Sequence, residues 1–193
     1  MVQKRGREQF KKVKWILVLL EKYYRLYPLK SRKKKFEKKR FKKGKWGLAV
    51  RYALLKSIAN SVGENVSIHQ GCYILNAEKL SIGNNVSIHP MCYLEALGGI
   101  TIGNDVSIAH GTTILSTSHN FSRTDIPMKD QGITAKKTII KDNVWLGAKV
   151  TVLAGLTIES GCVIGAGAVL TRDTEKDTVY VGVPANKIKG RCE

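Results

Sequence analysis

Long apolar runs are missing from this sequence. The longest near the N-terminus, Trp15 to Leu20, is six residues, far below the roughly 20 that span a bilayer and short of the about 7–15 of a secretory core. Neither a membrane-spanning helix nor a cleaved leader is expected, and the chain reads as cytoplasmic. Cysteine is scarce: Cys72, Cys92, Cys162 and Cys192 show none of the close CxxC spacing of a zinc site or redox pair. Acidic residues are nearly absent from the first 56 positions, which hold 3 of them against 21 Lys or Arg, whereas the remainder has 12 of each. The formal net charge of +18 therefore sits at one end. A chain of 193 residues has room for one well-buried domain plus an extension, not for two ordinary domains.

What is present is a repeat. Aliphatic anchors recur every six residues at Val62, Ile68, Ile74, then Ile82, Ile88, Leu94, then Ile102, Ile108, Ile114. They resume at Ile140, Leu146, Val152, Ile158, Ile164 and Leu170. A second inward slot follows four residues after an anchor and holds small or medium residues such as Val66, Cys72, Cys92, Val106, Thr112 and Cys162. Three of the four cysteines thus read as packing residues. Two inward positions per hexad imply a short strand and a turn, and three hexads close a triangular coil. Stacked coils pair as parallel strands, each satisfying the backbone of the next. Glycines after the anchors, at Gly63, Gly83, Gly103, Gly147 and Gly165, suggest tight corners with unusual φ. The early period of 20 places two extra residues per coil near Leu80-Ser81 and Ile100-Thr101, and Ser116 to Thr138 reads as a loop extruded from a corner.

These units resemble the hexapeptide-repeat acyltransferases. The resemblance covers Val62 to Lys189 and implies an all-β fold, a left-handed parallel β-helix of stacked triangular coils, with a homotrimeric assembly. The nearest likeness is to the galactoside, maltose and capsular or O-antigen O-acetyltransferases. It rests on three segments: Ser116-Thr117-Ser118-His119-Asn120, the run Ile140 to Ala148 that contains Trp145-Leu146-Gly147-Ala148, and Val163 to Gly167 continuing to Gly182-Val183-Pro184-Ala185.

The resemblance implies acetyl-CoA as co-substrate and a saccharide hydroxyl, in a cell-envelope or capsular polysaccharide unit, as acceptor. It makes His119 the general base, a role suited to imidazole because an alcohol is a poor nucleophile at neutral pH. By similarity the backbone N–H of Ala148 serves the developing oxyanion. Trp145 flanks the pantetheine arm, and Gly147, Ala148, Ala166 and Gly167 line the cofactor groove. Arg172 and Lys187 sit where the family places cations near the CoA phosphates, or are ordinary solvated charges. On the acceptor side, His89 stands where sugar acetyltransferases often have an asparagine, with Glu95 on the same coil and Asn120 beside the base. Glu95 either accepts a sugar hydroxyl, orients His119 or is solvated surface. No metal is expected. His69 and His89 lie one coil apart with His110 displaced by one, so a zinc protein like the γ-class carbonic anhydrases is one alternative. A catalytically silent β-helix scaffold is the other.

The chain is read as a basic amphipathic extension over 1–46, a capping helix over 47–61, the β-helix over 62–184 with its loop at 116–138, and a tail over 185–193. Lys11 to Leu29 suits a helix with one greasy face built from Val13, Trp15, Ile16, Leu19 and Leu20, whereas charge repulsion should keep Lys30 to Trp46 extended when free. Such an extension can lie on an anionic membrane, peripheral on its inner face. It can also act as a solubilising or trimer-covering arm, or bind nucleic acid without sequence preference.

Overall fold

Each hexad becomes a strand of two or three residues because its anchor faces inward and the residue before it faces outward. In the computed structural model, which describes residues 2–192, these strands line three faces. The first face stacks Ser61–Val62, Leu80–Ile82, Ile100–Ile102, Thr138–Ile140 and Thr157–Ile158. The second stacks Ser67–Ile68, Ser87–Ile88, Ser107–Ile108, Trp145–Leu146, Val163–Ile164 and Thr178–Val181. The third stacks Tyr73–Leu75, Tyr93–Glu95, Thr113–Ile114, Thr151–Val152 and Val169–Leu170. Pairing along every face is parallel and in register, as in Ile82 with Ile102, Ile102 with Ile140, and Ile140 with Ile158. The result is a β-solenoid of five complete coils and one strand of a sixth, closed by the antiparallel strand Asn186–Gly190.

The anchors form a single buried column system. All are buried except Ile74, which packs half-buried against the core in the first coil. Cys72, Cys92 and Cys162 are buried free thiols in the second inward slot. Each buried Ile or Leu contributes about 1.5–3 kcal/mol relative to exposure.

Two local expectations need correction. The glycines after the anchors are not where the chain takes positive φ. That conformation falls two residues later, at positions such as Asn65, Gly71, Asn85, Met91, Gly111, Asn143 and Lys149. What the anchor-following positions require is closeness. A Cβ on Gly83 would lie 2.7 Å from the backbone C and O of Gly103, and one on Gly147 would lie 2.6 Å from the N of Ala166. The extra residues of the early coils also sit elsewhere. Leu80, Ser81, Ile100 and Thr101 are in strands. The additional residues form the preceding corner, a short 3-10 turn Ala77–Lys79 in one coil and the segment 96–99 in the next.

The extruded loop does not break the stack. Ile100–Ile102 pairs directly with Thr138–Ile140 across it. The loop itself is a hairpin of Thr117–His119 against Ile133–Ala135, with a 3-10 turn Met128–Asp130 at its far end.

Three helices cover the open end and one edge. α1 is Val2–Arg25, α2 is Leu29–Lys39 and α3 is Gly44–Ile58. α3 buries Val50, Ala53, Leu54 and Ile58, and its Arg51, 2% exposed, donates to Ile68 O at 2.8 Å and Lys42 O at 2.6 Å. The backbone turn after α2 is thereby tied to the first coil. α2 is a helix although its charge pattern suggested an extended segment. The tertiary contacts that hold it include buried Phe36, a Lys33–Glu78 pair at 2.7 Å and an Arg32 contact to Ser57 O. α1 runs along the edge between the first and second faces, with Arg7 on Asp105 at 2.8 Å and Lys14 on Glu64. Seven helical residues span about 10.5 Å, which matches two coil spacings of about 4.8 Å each. The helix therefore lies nearly along the solenoid axis. Met1 and Glu193, the outermost residues of the expected extension and tail, lie outside the described residues.

Replacing Ile102 by Ala should lower the unfolding free energy by about 2–5 kcal/mol, measured as a shift of the urea midpoint. Gly83→Ala should cost about 1–3 kcal/mol although the φ of Gly83 is one that alanine accepts. Unchanged stability would mean that neighbouring coils can separate to admit a methyl group.

Candidate active site

His119 ends the outgoing strand of the extruded hairpin, opposite Ile133, and its side chain is exposed. The strand leaves the solenoid at the edge between the third and first faces. Its base is pinned by Glu95, which comes from the third face one coil earlier. The Glu95 carboxylate accepts from Leu97 N at 2.7 Å, from Thr117 Oγ1 at 2.8 Å and from Ser116 Oγ at 3.3 Å. Ser116 Oγ also donates to Glu95 O at 2.7 Å. Glu95 thus holds the start of the strand that ends in His119.

Asn120 is used inside the same loop. Its Nδ2 donates to Gln131 O at 3.1 Å, its Oδ1 accepts from Thr134 Oγ1 at 2.6 Å, and its backbone N–H donates to Gly132 O. These bonds clasp the two hairpin strands just beyond His119.

The other predicted residues lie on a different edge, between the second and third faces. Trp145 stands exposed on the second face between Ser107 and Val163. Gly147 and Ala148 turn the corner after it. Ala166 and Gly167 repeat that corner one coil later, joined by Gly147 N–H to Ile164 O and Gly167 N–H to Ala148 O, both 2.8 Å. Among the described residues the backbone N–H groups of Ala148 and Ala166 donate to no protein acceptor. A Cβ on Gly167 would meet nothing within 4 Å. This corner therefore presents open, small-residue backbone with two available donors, which suits the approach of a narrow polar chain and a developing negative oxygen. Lys149, the next residue, holds φ +58 without being Gly or Asn, a conformation that costs on the order of 1–3 kcal/mol.

His89 occupies the same corner two coils earlier. Its ring stacks on His69 with centroids 5.1 Å apart and planes at 16°. Burial, then His89 and the Arg51 guanidinium, hold the His69 imidazole below its ordinary pKa. Ala109, not His110, takes the third place in this column, since its N–H pairs with Leu146 O just before Gly147. Among the described residues no three His, Cys, Asp or Glu side chains come together as a metal site. Near the C-terminus, Arg172 donates to Asn186 Oδ1 at 2.7 Å and Lys187 pairs with Glu175 at 2.6 Å. Both cations are engaged with neighbours on the chain.

Apart from Arg172 and Lys187 near the C-terminus, the predicted residues therefore separate into two groups on two edges. His119, Asn120 and Glu95 share one. Trp145, Gly147, Ala148, Ala166, Gly167 and His89 share the other. The parts that sequence reasoning missed are Ser116 and Thr117, which hold Glu95, and the second open donor at Ala166. A Ser-Thr pair where the hexad count breaks was the available signal for the first. Nothing in the sequence marks the second.

Comparison with known proteins follows the same lines. Residues 137–172 match the family described as bacterial transferase hexapeptide (six repeats). WbbJ of Escherichia coli K12, named for lipopolysaccharide biosynthesis O-acetyl transfer, is 39% identical over 72 residues, 37% of this chain and 37% of its own length. The first curated relatives are matched over only 24% to 42% of their lengths. Among solved structures, AntD from Bacillus cereus, an N-acyltransferase in complex with dTDP and coenzyme A, is 28% identical with a TM-score of 0.61, over 68% of this chain and 73% of that one. The hexapeptide-repeat acetyltransferase VCA0836 of Vibrio cholerae, at 23% identity over 84% of this chain and 86% of its own, shares the fold with a TM-score of 0.75. Repeat, three-sided coil and neighbours agree, and over residues 137–172 this chain is similar to the bacterial transferase hexapeptide family.

Proposed function

We propose that this protein transfers an acetyl group from acetyl-CoA to a hydroxyl of a saccharide. The observation that carries this reading is the division of the site residues between two edges of one prism. One edge offers an exposed histidine on a braced hairpin. The other offers the open corner at Ala148 and Ala166 beside exposed Trp145. Three copies packed edge to edge about a common axis would set His119 of one chain beside the corner of the next. The name of WbbJ, and AntD solved with dTDP-4-amino-4,6-dideoxyglucose and coenzyme A, support acyl transfer and a saccharide acceptor.

In this mechanism His119 removes the proton from the acceptor hydroxyl as its oxygen attacks the thioester carbonyl. The Ala148 N–H donates to the oxygen that becomes negative. The C–S bond breaks, and the thiol sulfur receives the proton that His119 carried. No covalent enzyme intermediate forms. Glu95 and Asn120 act as positioning residues, because both brace the hairpin rather than face outward as free acceptors. Trp145, Gly147 and Gly167 shape the groove. His89 lines the acceptor side, and Arg172 and Lys187 lie toward the CoA phosphates. The acceptor is read as a cell-envelope or capsular polysaccharide unit, reached from the cytoplasm with residues 1–46 against the inner face of the membrane.

A second reading, acylation of a sugar amine, is favoured by the likeness to AntD, an N-acyltransferase. Thiol release from acetyl-CoA, measured against neutral sugars and amino sugars in parallel, separates the two.

His119→Ala should leave a folded assembly whose acetyl transfer falls by about 10²-fold or more. Wild-type activity in that variant would place the base elsewhere. Sedimentation should give three times the chain mass. Mixed assemblies of His119→Ala and Ala166→Trp chains, each inactive alone, should regain part of the activity because some sites then draw both intact halves from different chains. No regain would mean that each chain builds its site alone.

A further inference from the structure

The expectation of a single greasy face on α1 does not hold. Leu17 is buried and Ile16 and Leu20 are half-buried against the rest of the protein, whereas Trp15 is 65% and Leu19 57% exposed. The helix therefore has a second apolar stripe that faces solvent. It continues through Tyr23, 49% exposed, to Leu26 at the elbow before α2, 81% exposed. The spacings of four, four and three residues keep these side chains on one side of the helix.

The stripe is continuous with a cationic surface. Tyr23 and Tyr27 join hydroxyl to hydroxyl at 2.7 Å, and Lys35 lies 4.3 Å from the Tyr27 ring centroid. Beyond it Lys34, Lys38 and Lys39 line an open cleft with Tyr27 and Ser31. Of the carboxylates near α1 and α2, Asp105 is engaged by Arg7, Glu64 by Lys14, Glu21 by Arg25 and Glu78 by Lys33, whereas Glu8 and Glu37 are exposed, form no ion pair among the described residues and are outnumbered by the surrounding lysines. Lys12, Lys22, Lys34, Lys38 and Lys39 form no ion pair with a carboxylate among the described residues.

We infer that the outward face of α1 and the adjoining face of α2 form one docking surface for a bilayer carrying anionic headgroups, with Trp15, Leu19, Tyr23 and Leu26 entering the interfacial region. The two chemistries point to the same partner. Nucleic acid would use the lysines but has no use for exposed leucines, whereas an anionic membrane interface takes both. No helix among the described residues is long and apolar enough to cross a membrane, so the contact is interfacial. This inference rests on reading residues 1–46 as the membrane contact and is independent of acetyl transfer.

The test uses the full chain and co-sedimentation with vesicles of phosphatidylcholine alone or mixed with phosphatidylglycerol. The wild type should bind the anionic vesicles at least tenfold more tightly than the neutral ones. A Trp15→Ser/Leu19→Ser variant, altered only at exposed positions, should lose at least tenfold of that binding. Its circular dichroism, sedimentation mass and acetyl transfer to a soluble acceptor should stay at wild-type values. Lys34→Gln/Lys38→Gln should weaken binding and reduce its salt dependence. Absence of wild-type binding overturns the inference together with the membrane reading. Undiminished vesicle binding by Trp15→Ser/Leu19→Ser overturns this inference alone. So does a change of that variant's mass without lipid, which would assign the stripe to contacts between copies, or displacement of the wild type from vesicles by duplex DNA that binds both proteins equally.

Discussion

Parallel pairing between successive coils is the interaction on which everything else rests. A strand of two residues cannot satisfy its own backbone, so each coil depends on the one below and the one above for its hydrogen bonds. The registers Ile82 to Ile102, Ile102 to Ile140 and Ile140 to Ile158 show how strictly this is kept. It also explains why the long excursion from Ser116 to Thr138 is tolerated. The hairpin satisfies its own backbone, and the chain re-enters where the next coil is needed.

The same stacking sets the chemistry of the corners. Neighbouring backbones approach closely enough at Gly83 and Gly147 to exclude a Cβ. Elsewhere at the corners, side-chain ladders such as Asn65 to Asn85 to Asp105 connect the coils. At Ala148 and Ala166 no side chain fills that role, and the backbone donors remain open. Placing small residues there leaves the corner backbone accessible. The hairpin that carries His119 is held by a separate device, the Glu95 carboxylate beneath it, so the two groups of candidate residues have independent supports.

A solenoid has two open ends, and this chain closes them differently. The C-terminal end is finished by the antiparallel strand Asn186–Gly190 on the sixth-coil strand. The N-terminal end is covered by α3, with Arg51 reaching the first coil and the turn after α2 together. Exposed ion pairs such as Arg7–Asp105 contribute little energy, on the order of 0–1 kcal/mol each. The side of α1 that faces the solenoid, and so which apolar residues are left outward, is set by buried Leu17 and by Phe10 packed on Tyr52.

The coil architecture was legible because inward positions repeat with a period of six, and burial requires the same residue type at each repeat. The anchors from Val62 to Leu170, the packing cysteines and the loop at 116–138 all follow from that count. Tertiary structure decided what local pattern leaves open. Whether an anchor-following glycine is needed for φ or for closeness depends on the neighbouring coil, which is 18 or 20 residues away. The lysine-rich α2 is helical because Phe36 and Lys33 find partners on other elements. The apolar residues of α1 divide between two faces because Leu17 and Phe10 find core partners on other elements while Trp15 and Leu19 do not. The sequence by itself determined the repeat and singled out the candidate site residues. Only the folded prism decided that those residues fall on two separate edges, because a residue's edge depends on its place in the three-hexad turn.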